Sequence, residues 1–173
     1  RHFEHEPSLR IARRTRDFLL AHGRDADGWW VSSLSADGAV TAPATPRGYE
    51  SLFVAEGLTA YAAASGDAES LEVAIASLEK VVALYRDPER PVDEGYIPRC
   101  YPGMWILGGH MVLILTLTQM LELRPGDARL TALADGIVDD ITARFWNPNY
   151  GLYSEALAHD LSRPDDDNED FCY

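Results

Sequence analysis

Helical segments of two kinds alternate along this chain, and the alternation restricts the folds that it can adopt. Segments 8–22, 67–85 and 127–145 are amphipathic, because apolar residues recur at helical spacing on one face and charged residues occupy the rest. The segments between them, 50–65 and 104–123, are apolar or small on nearly all sides. A helix that is apolar all round needs burial over most of its surface. The order along the chain is therefore outer, inner, outer, inner, outer.

This order predicts an all-α fold of two concentric helical rings, which is an α/α toroid. A four-helix bundle does not fit, because all of its helices would be amphipathic. Short β-hairpins are predicted between helices, one over 29–34 with an Asp37-Gly38 turn and one over 150–158. The helices in this sequence are too few to close a double ring. We therefore predict one partial domain over 1–173, truncated at both ends, that holds about half of the toroid.

Segment 104–121 carries no formal charge and is long enough to be weighed as a membrane span. Glycine, histidine, threonine and glutamine residues interrupt it, and this favours a buried core helix. We expect no membrane association and a cytoplasmic location. In that compartment Cys100 and Cys172, which lack metal-binding spacing, are expected to be free thiols.

The net charge of −13 disfavours nucleic acid and anionic lipid as partners. The most acidic stretch is 165–170, in which all residues but Asn168 are Asp or Glu. Such a run favours a solvated loop over a calcium site, because the glycine and the closing glutamate of an EF-hand loop are absent. We expect no metal site.

Three stretches carry a resemblance to a known family: WWVSSLSADGAV at 29–40, RGYESLFVAEGLTAYAAASGD at 47–67, and NPNYGLYSEALAHDLSRPDDDNEDF at 147–171. They resemble the N-acylglucosamine 2-epimerase family, which includes cellobiose 2-epimerases and aldose-ketose isomerases. The third stretch is similar to the loop that leads, in family members, into a Gly-His-x-x-Glu helix. The resemblance covers nearly the whole chain. It implies an (α/α)6 barrel with a sugar pocket at the hairpin end.

The resemblance also implies an isomerase that acts on a reducing sugar. Such an enzyme opens the sugar ring, takes the proton from the carbon next to the carbonyl, and returns it to the other face or to the neighbouring carbon. Histidine suits this chemistry because its pKa lies near neutral, and no cofactor is needed. The histidine of the Gly-His-x-x-Glu helix and a second family histidine would lie beyond Tyr173. A polypeptide of residues 1–173 alone is therefore expected to be inactive.

Six residues of the chain are candidates for the site. His110 could match a catalytic histidine of the cellobiose-epimerase branch, although Gly108 and Gly109 replace the Asn-Thr that precedes it there. A hydrogen-bonded core histidine is the alternative. The candidates for contact with the sugar lie near predicted hairpins and the starts of inner helices: Arg47, Tyr49, Glu50, Trp105 and Glu155. Helix capping, ion pairing or core packing explains these residues equally well.

Two other functions stay open at this point. The toroid also serves glycoside hydrolases, which need two carboxylates at a defined separation, whereas Glu50 and Glu56 lie on nearly opposite faces of their helix. A toroid can also be a non-catalytic scaffold that binds carbohydrate or protein. The apolar sides of 52–58 and 106–117 would be exposed in a polypeptide limited to 1–173. We expect such a polypeptide to aggregate or to form a homodimer.

Overall fold

The computed structural model describes residues 6–172, which contain five α-helices and six short strands. Each helix begins within three residues of the position predicted for it. A π-helical turn, Asp140–Phe145, follows the last helix directly and completes the segment predicted to end at 145. The helices are α1 Glu6–His22, α2 Tyr49–Ser65, α3 Ala68–Tyr85, α4 Leu107–Leu123 and α5 Ala128–Asp139.

Local sequence explains where two of these helices begin or end. Gly66 follows α2 with a positive φ of 76°, and its amide donates to the carbonyl of Ala62. A left-handed glycine after the last turn is a common way to end a helix. At the start of α5, the Asp127 carboxylate accepts hydrogen bonds from the amides of Arg129 (3.0 Å) and Leu130 (3.1 Å). Asp127 is therefore the N-cap of α5.

The first predicted hairpin is confirmed, although its strands are short. Strand β1, Ser33–Leu34, pairs antiparallel with β2, Val40–Ala42. Gly38 has a φ of 89°, in the region that favours glycine, and lies in the turn between them. Below the turn, the Ser35 amide donates to the Ala39 carbonyl at 2.8 Å.

The second predicted hairpin, over 150–158, is wrong in its pairing. Strand β4, Trp146–Asn147, pairs with β5, Leu152–Tyr153, so the hairpin begins before residue 150. Strand β6, Ala156–Leu157, pairs instead with β3, Trp105–Ile106, which immediately precedes α4. Two-residue strands are too short to produce the alternation by which a strand is recognised in a sequence.

The chain divides into two compact units, Arg1–Lys80 and Val81–Tyr173. In the first unit α1 packs against α2. The Arg16 guanidinium on α1 donates to Ser70 Oγ at 3.0 Å and lies 2.9 Å from the carboxylate of Asp67. These contacts fix α1 to the start of α3. The prediction of a single partial domain over 1–173 stays a prediction.

In the second unit α4 packs against α5. One side of α4 is exposed, since Met111 and Leu115 are 58% and 48% exposed. No helix among residues 6–172 is both long and apolar enough to cross a membrane. The most completely buried large side chains of this unit are Met104, Leu113, Leu117, Met120, Leu130, Phe145 and Leu157.

Candidate functional site

The three candidate residues of the first unit lie together at the start of α2. Gly48, with a φ of 72°, turns the chain into this helix, so that Arg47 and Tyr49 flank the turn. The Glu50 carboxylate accepts hydrogen bonds from the hydroxyl groups of Ser32 and Thr45, the latter at 3.0 Å. Glu50 therefore ties the β1–β2 hairpin region to the first turn of α2. Its contact with a sugar stays a prediction.

The other three candidates lie around the start of α4, in the second unit. Trp105 belongs to β3 and is half-buried. Its indole Nε1 donates to the carbonyl of His159 at 2.8 Å, and the two side-chain rings stack with centroids 6.1 Å apart. The His159 Nδ1 in turn lies 3.0 Å from the carbonyl of Gly103. The edge of the Trp105 indole is thus fixed before any ligand binds.

Glu155 is 4% exposed and contacts α4 through both its main chain and its side chain. Its carbonyl accepts a 2.8 Å hydrogen bond from the Leu107 amide. Its carboxylate accepts a 2.8 Å hydrogen bond from the Tyr96 hydroxyl group and lies near the Gly108 amide, which favours its charged form. Glu155 therefore lies at the N-terminus of α4, where the helix dipole favours a negative charge.

The pKa of Glu155 is raised above the ordinary glutamate value, mainly because burial disfavours the charged carboxylate. Glu94, which is also 4% exposed, raises the pKa further by like-charge repulsion. The hydrogen bond from Tyr96 and the nearby Gly108 amide lower the pKa and so act in the opposite direction. Buried carboxyl groups whose pKa is shifted in this way are common at functional sites, although they also occur in structural networks.

His110 is completely buried among aromatic rings. Its ring centroid lies 4.9 Å from that of Phe145, 5.2 Å from that of Trp105 and 6.3 Å from that of Tyr85. Its Nδ1 lies 3.1 Å from the carbonyl of Ile106, which can only accept, so this nitrogen carries the proton of the neutral ring. Burial lowers the pKa of His110 and favours that neutral form.

These contacts place His110 among residues that pack around α4 and the π-helical turn, which matches the core-histidine alternative. Its Nε2 is buried and has no hydrogen-bond partner within residues 6–172. A cavity of about 60 Å³ lies nearby and shares Tyr85 and Trp105 with the surroundings of His110. This cavity can hold water but is far smaller than the roughly 300 Å³ of a typical ligand pocket. A catalytic role for His110 stays a prediction.

The acidic stretch 165–170 is mostly exposed, as predicted for a solvated loop, but it also contacts other parts of the second unit. Asn168 is fully buried, and its side-chain amide donates to the Arg99 carbonyl at 2.8 Å. The hydroxyl groups of Tyr101 and Tyr150 donate to the carboxylates of Asp166 and Asp170. Among residues 6–172, no group of three or more His, Cys, Asp or Glu side chains is placed to hold a metal ion.

Sequence reasoning missed Glu94, Tyr96 and Asn168. Glu94 and Tyr96 lie between α3 and α4 in a segment without helical or strand periodicity, which gives no indication of burial. Asn168 lies in a run of carboxylates, and its charged neighbours predict an exposed position. These residues are recognisable only from their partners, Glu155 and Arg99, which are distant in the sequence.

No family model matches the sequence, and no curated protein matches it. Several solved structures do match the chain. One is a D-mannose isomerase, with a TM-score of 0.68 and 17% sequence identity over 93% of this chain and 41% of that chain. Another is the cellobiose 2-epimerase from Spirochaeta thermophila DSM 6192, with a TM-score of 0.70 and 18% identity over 90% of this chain and 42% of that chain. The chain has the fold of the matched part of these two proteins.

The predicted fold class, part of an all-α (α/α)6 toroid with short strands between helices, is thereby confirmed. The resemblance that the sequence carries is confirmed at the level of the fold. The chain spans about two fifths of the length of either solved structure, 41% of one and 42% of the other.

Proposed function

We propose that the protein to which these residues belong is a sugar isomerase or epimerase that transfers a proton at the carbon next to the carbonyl of a reducing sugar. The observation that carries the proposal is the shared fold with a D-mannose isomerase and a cellobiose 2-epimerase over 93% and 90% of the chain. A fold alone does not determine function, so the chemistry needs its own test. The substrate class is a hexose, an N-acetylhexosamine or a disaccharide with a free reducing end.

In this proposal the start of α2 and the start of α4 supply contacts to the sugar. Arg47, Tyr49 and Glu50 offer hydrogen-bonding groups in the first unit, and Trp105 offers an aromatic surface in the second. Aromatic rings and a small number of fixed polar groups are the usual lining of a carbohydrate or other small-molecule site. Proton transfer itself needs groups with a pKa near neutral and donors for the enediolate oxygen, and needs no cofactor.

The proposal also covers the remainder of the protein, its location, its cofactors and its oligomeric state. Because the chain spans 41% and 42% of the two solved structures, we propose that the main catalytic histidines belong to the remainder of the protein and that polypeptide 1–173 is inactive alone. We further propose that the protein is cytoplasmic, that it needs no metal or organic cofactor, and that it can form a homodimer.

The test uses the product of the complete gene. The protein is incubated in deuterated water with mannose, N-acetylmannosamine or cellobiose, and deuterium at carbon 2 is followed by NMR. Incorporation or conversion with one of the sugars is the expected result and identifies the substrate class. A folded protein that neither exchanges nor converts any of them would contradict the proposal, and cleavage of cellobiose to glucose would indicate a hydrolase instead.

Two variants connect the activity to the candidate site. Glu50→Gln removes the charge that organises the start of α2, and Trp105→Leu removes the aromatic surface; each is expected to lower kcat/KM at least about tenfold, which corresponds to 1.4 kcal/mol of transition-state binding. Glu122→Gln is the matched control, because Glu122 is exposed near the end of α4. Activity that is equally reduced in the control would show a general effect of charge.

A further inference from the structure

Helix α4 begins without a cap of its own. The residue before it is Ile106, whose side chain cannot accept a hydrogen bond, and the first residues of the helix are leucine and two glycines. The first four amides of a helix have no partner within the helix and need acceptors from elsewhere. One of these amides, that of Leu107, donates to the Glu155 carbonyl at 2.8 Å, and the amide of Gly108 lies near the Glu155 carboxylate and favours its charge. Glu155 therefore caps α4 from a distant part of the chain.

The same glutamate belongs to a closed set of three contacts. The Glu155 amide donates to the Phe171 carbonyl at 2.9 Å. The ring of Phe171 packs against that of Tyr96, with centroids 6.3 Å apart, and the Tyr96 hydroxyl group returns to Oε1 of Glu155 at 2.8 Å. Each residue of the set thus contacts the other two. Through Glu155, the set is attached to the first turn of α4.

We propose that Glu155 is a positioning residue, which fixes the first turn of α4, the segment around Tyr96 and the segment around Phe171 relative to one another. It acts through these elements and not by contact with the sugar, since the residue is 4% exposed and its carboxylate is directed at the Tyr96 hydroxyl group. This role is an alternative to the sugar contact that the sequence position of Glu155 predicts.

The charge of Glu155 also supports this role. A glutamine would offer one oxygen to the same donors without the cost of burying a charge near Glu94. A carboxylate accepts a stronger hydrogen bond from the Tyr96 hydroxyl group, and its negative charge is favoured by the dipole at the start of α4. These stronger interactions offset the cost of burying the charge, and they hold this end of the helix more firmly than a glutamine would.

The first test is amide hydrogen exchange on the product of the complete gene, followed in peptides that cover 105–110 and 168–172. Glu155→Ala and Tyr96→Phe are both expected to raise the exchange rates of the two segments together, by about tenfold or more for the alanine variant. The double variant should exceed the alanine variant only slightly, because both changes remove one shared contact. Glu122→Gln should leave both segments as they are.

The second test separates positioning from a purely structural effect. It rests on the proposed function, because it needs a sugar that the protein converts. Displacement of a site by about 1 Å can cost about a hundredfold in rate, so Glu155→Gln is expected to lower kcat by about tenfold to a hundredfold while KM changes less than about threefold. A rise in KM without loss of kcat would show that Glu155 binds the sugar and would overturn the proposal.

The positioning role of Glu155 would also be overturned if neither Glu155→Ala nor Tyr96→Phe changed the amide exchange rates of segments 105–110 and 168–172. Should the alanine variant fail to fold, Tyr96→Phe decides the outcome alone, because it removes only one oxygen from a side chain that is 46% exposed. A wild-type protein that converts no sugar would count against the proposed function only. The exchange measurements need no sugar and would still judge the role of Glu155.

Discussion

Gly109 and Tyr85 are packed so closely that a β-carbon on Gly109 would lie 2.7 Å from the Tyr85 hydroxyl oxygen. The Tyr85 side chain cannot easily move aside, because it is 6% exposed and lies between two other groups. The His110 ring stacks beside it, and the guanidinium carbon of Arg90 lies 4.9 Å from the Tyr85 ring centroid. Glycine at 109 therefore allows the backbone of α4 to approach the end of α3.

We expect Gly109→Ala to destabilise the protein by about 1–3 kcal/mol, the usual cost of overpacking a core. Gly136→Ala is the matched control. A β-carbon at Gly136, in α5, would meet no atom within 4 Å, and replacing a helical glycine by alanine stabilises by about 0.5–1 kcal/mol. Urea unfolding of the complete gene product measures both changes. Equal stability of the two variants would show that the contact between Gly109 and Tyr85 does not constrain the packing.

His110 should make the stability depend on pH. Burial lowers its pKa in the folded state below the ordinary value of 6.5, so the unfolded chain binds the proton more readily. The contribution of His110 to the free energy of unfolding is therefore complete above pH 6.5. It is lost as the pH falls through the lowered pKa of the folded state. We expect the wild-type protein to lose stability between about pH 7 and about pH 5, and His110→Gln to lose less over the same range.

Denaturant unfolding at the two pH values measures this difference, and nitrogen NMR of the imidazole shows directly which ring nitrogen carries the proton. The contact with the Ile106 carbonyl predicts a proton on Nδ1. A ring that is protonated on both nitrogens at neutral pH would contradict the buried, neutral state of His110.

The helices could be predicted from the sequence because their pattern is local, whereas the pairing of the strands could not. The apolar segment from 104 suggested a helix that begins there, but α4 begins at Leu107, since Trp105 and Ile106 pair with β6. Residues 156–157 are about fifty positions away, and nothing near Trp105 in the sequence indicates this partner. The fold class follows from periodicity, but helix starts of this kind depend on distant contacts.

The candidate site shows the same limit. Helix α4 is apolar on nearly all sides, so the sequence cannot indicate which face packs against α5 and which stays exposed. The structure places His110 on a buried face and Met111 on an exposed one. The sequence indicates Glu155 as a candidate, but its partner Tyr96 lies 59 positions earlier, so the sequence could not distinguish a sugar ligand from a residue that holds the start of α4.

The exposed side of α4 should make polypeptide 1–173 associate with itself. Met111 and Leu115 lie four positions apart, and thus on one face, with exposures of 58% and 48%. We expect Met111→Glu to shift this polypeptide toward the monomer in sedimentation experiments, because a charge at the centre of an apolar contact must be desolvated. Thr131→Glu, at an exposed position of α5, is the control and should leave association unchanged. A wild-type polypeptide that is monomeric at all concentrations would contradict the prediction.

Tyr150 reports on the attachment of the acidic stretch to the β4–β5 hairpin. Its hydroxyl group donates to the Asp170 carboxylate, and this bond is the main cause that raises the pKa of Tyr150 to about 12, with burial and nearby negative charges adding to it. Asp170→Asn is expected to return that pKa toward the ordinary value of 10.0, because the amide is neutral and accepts a weaker bond. NMR of ring-labelled tyrosine across an alkaline titration measures the change, and Tyr150→Phe assigns the signal. If Tyr150 titrates near 10.0 in the wild-type protein, the acidic stretch is not held to the hairpin in solution.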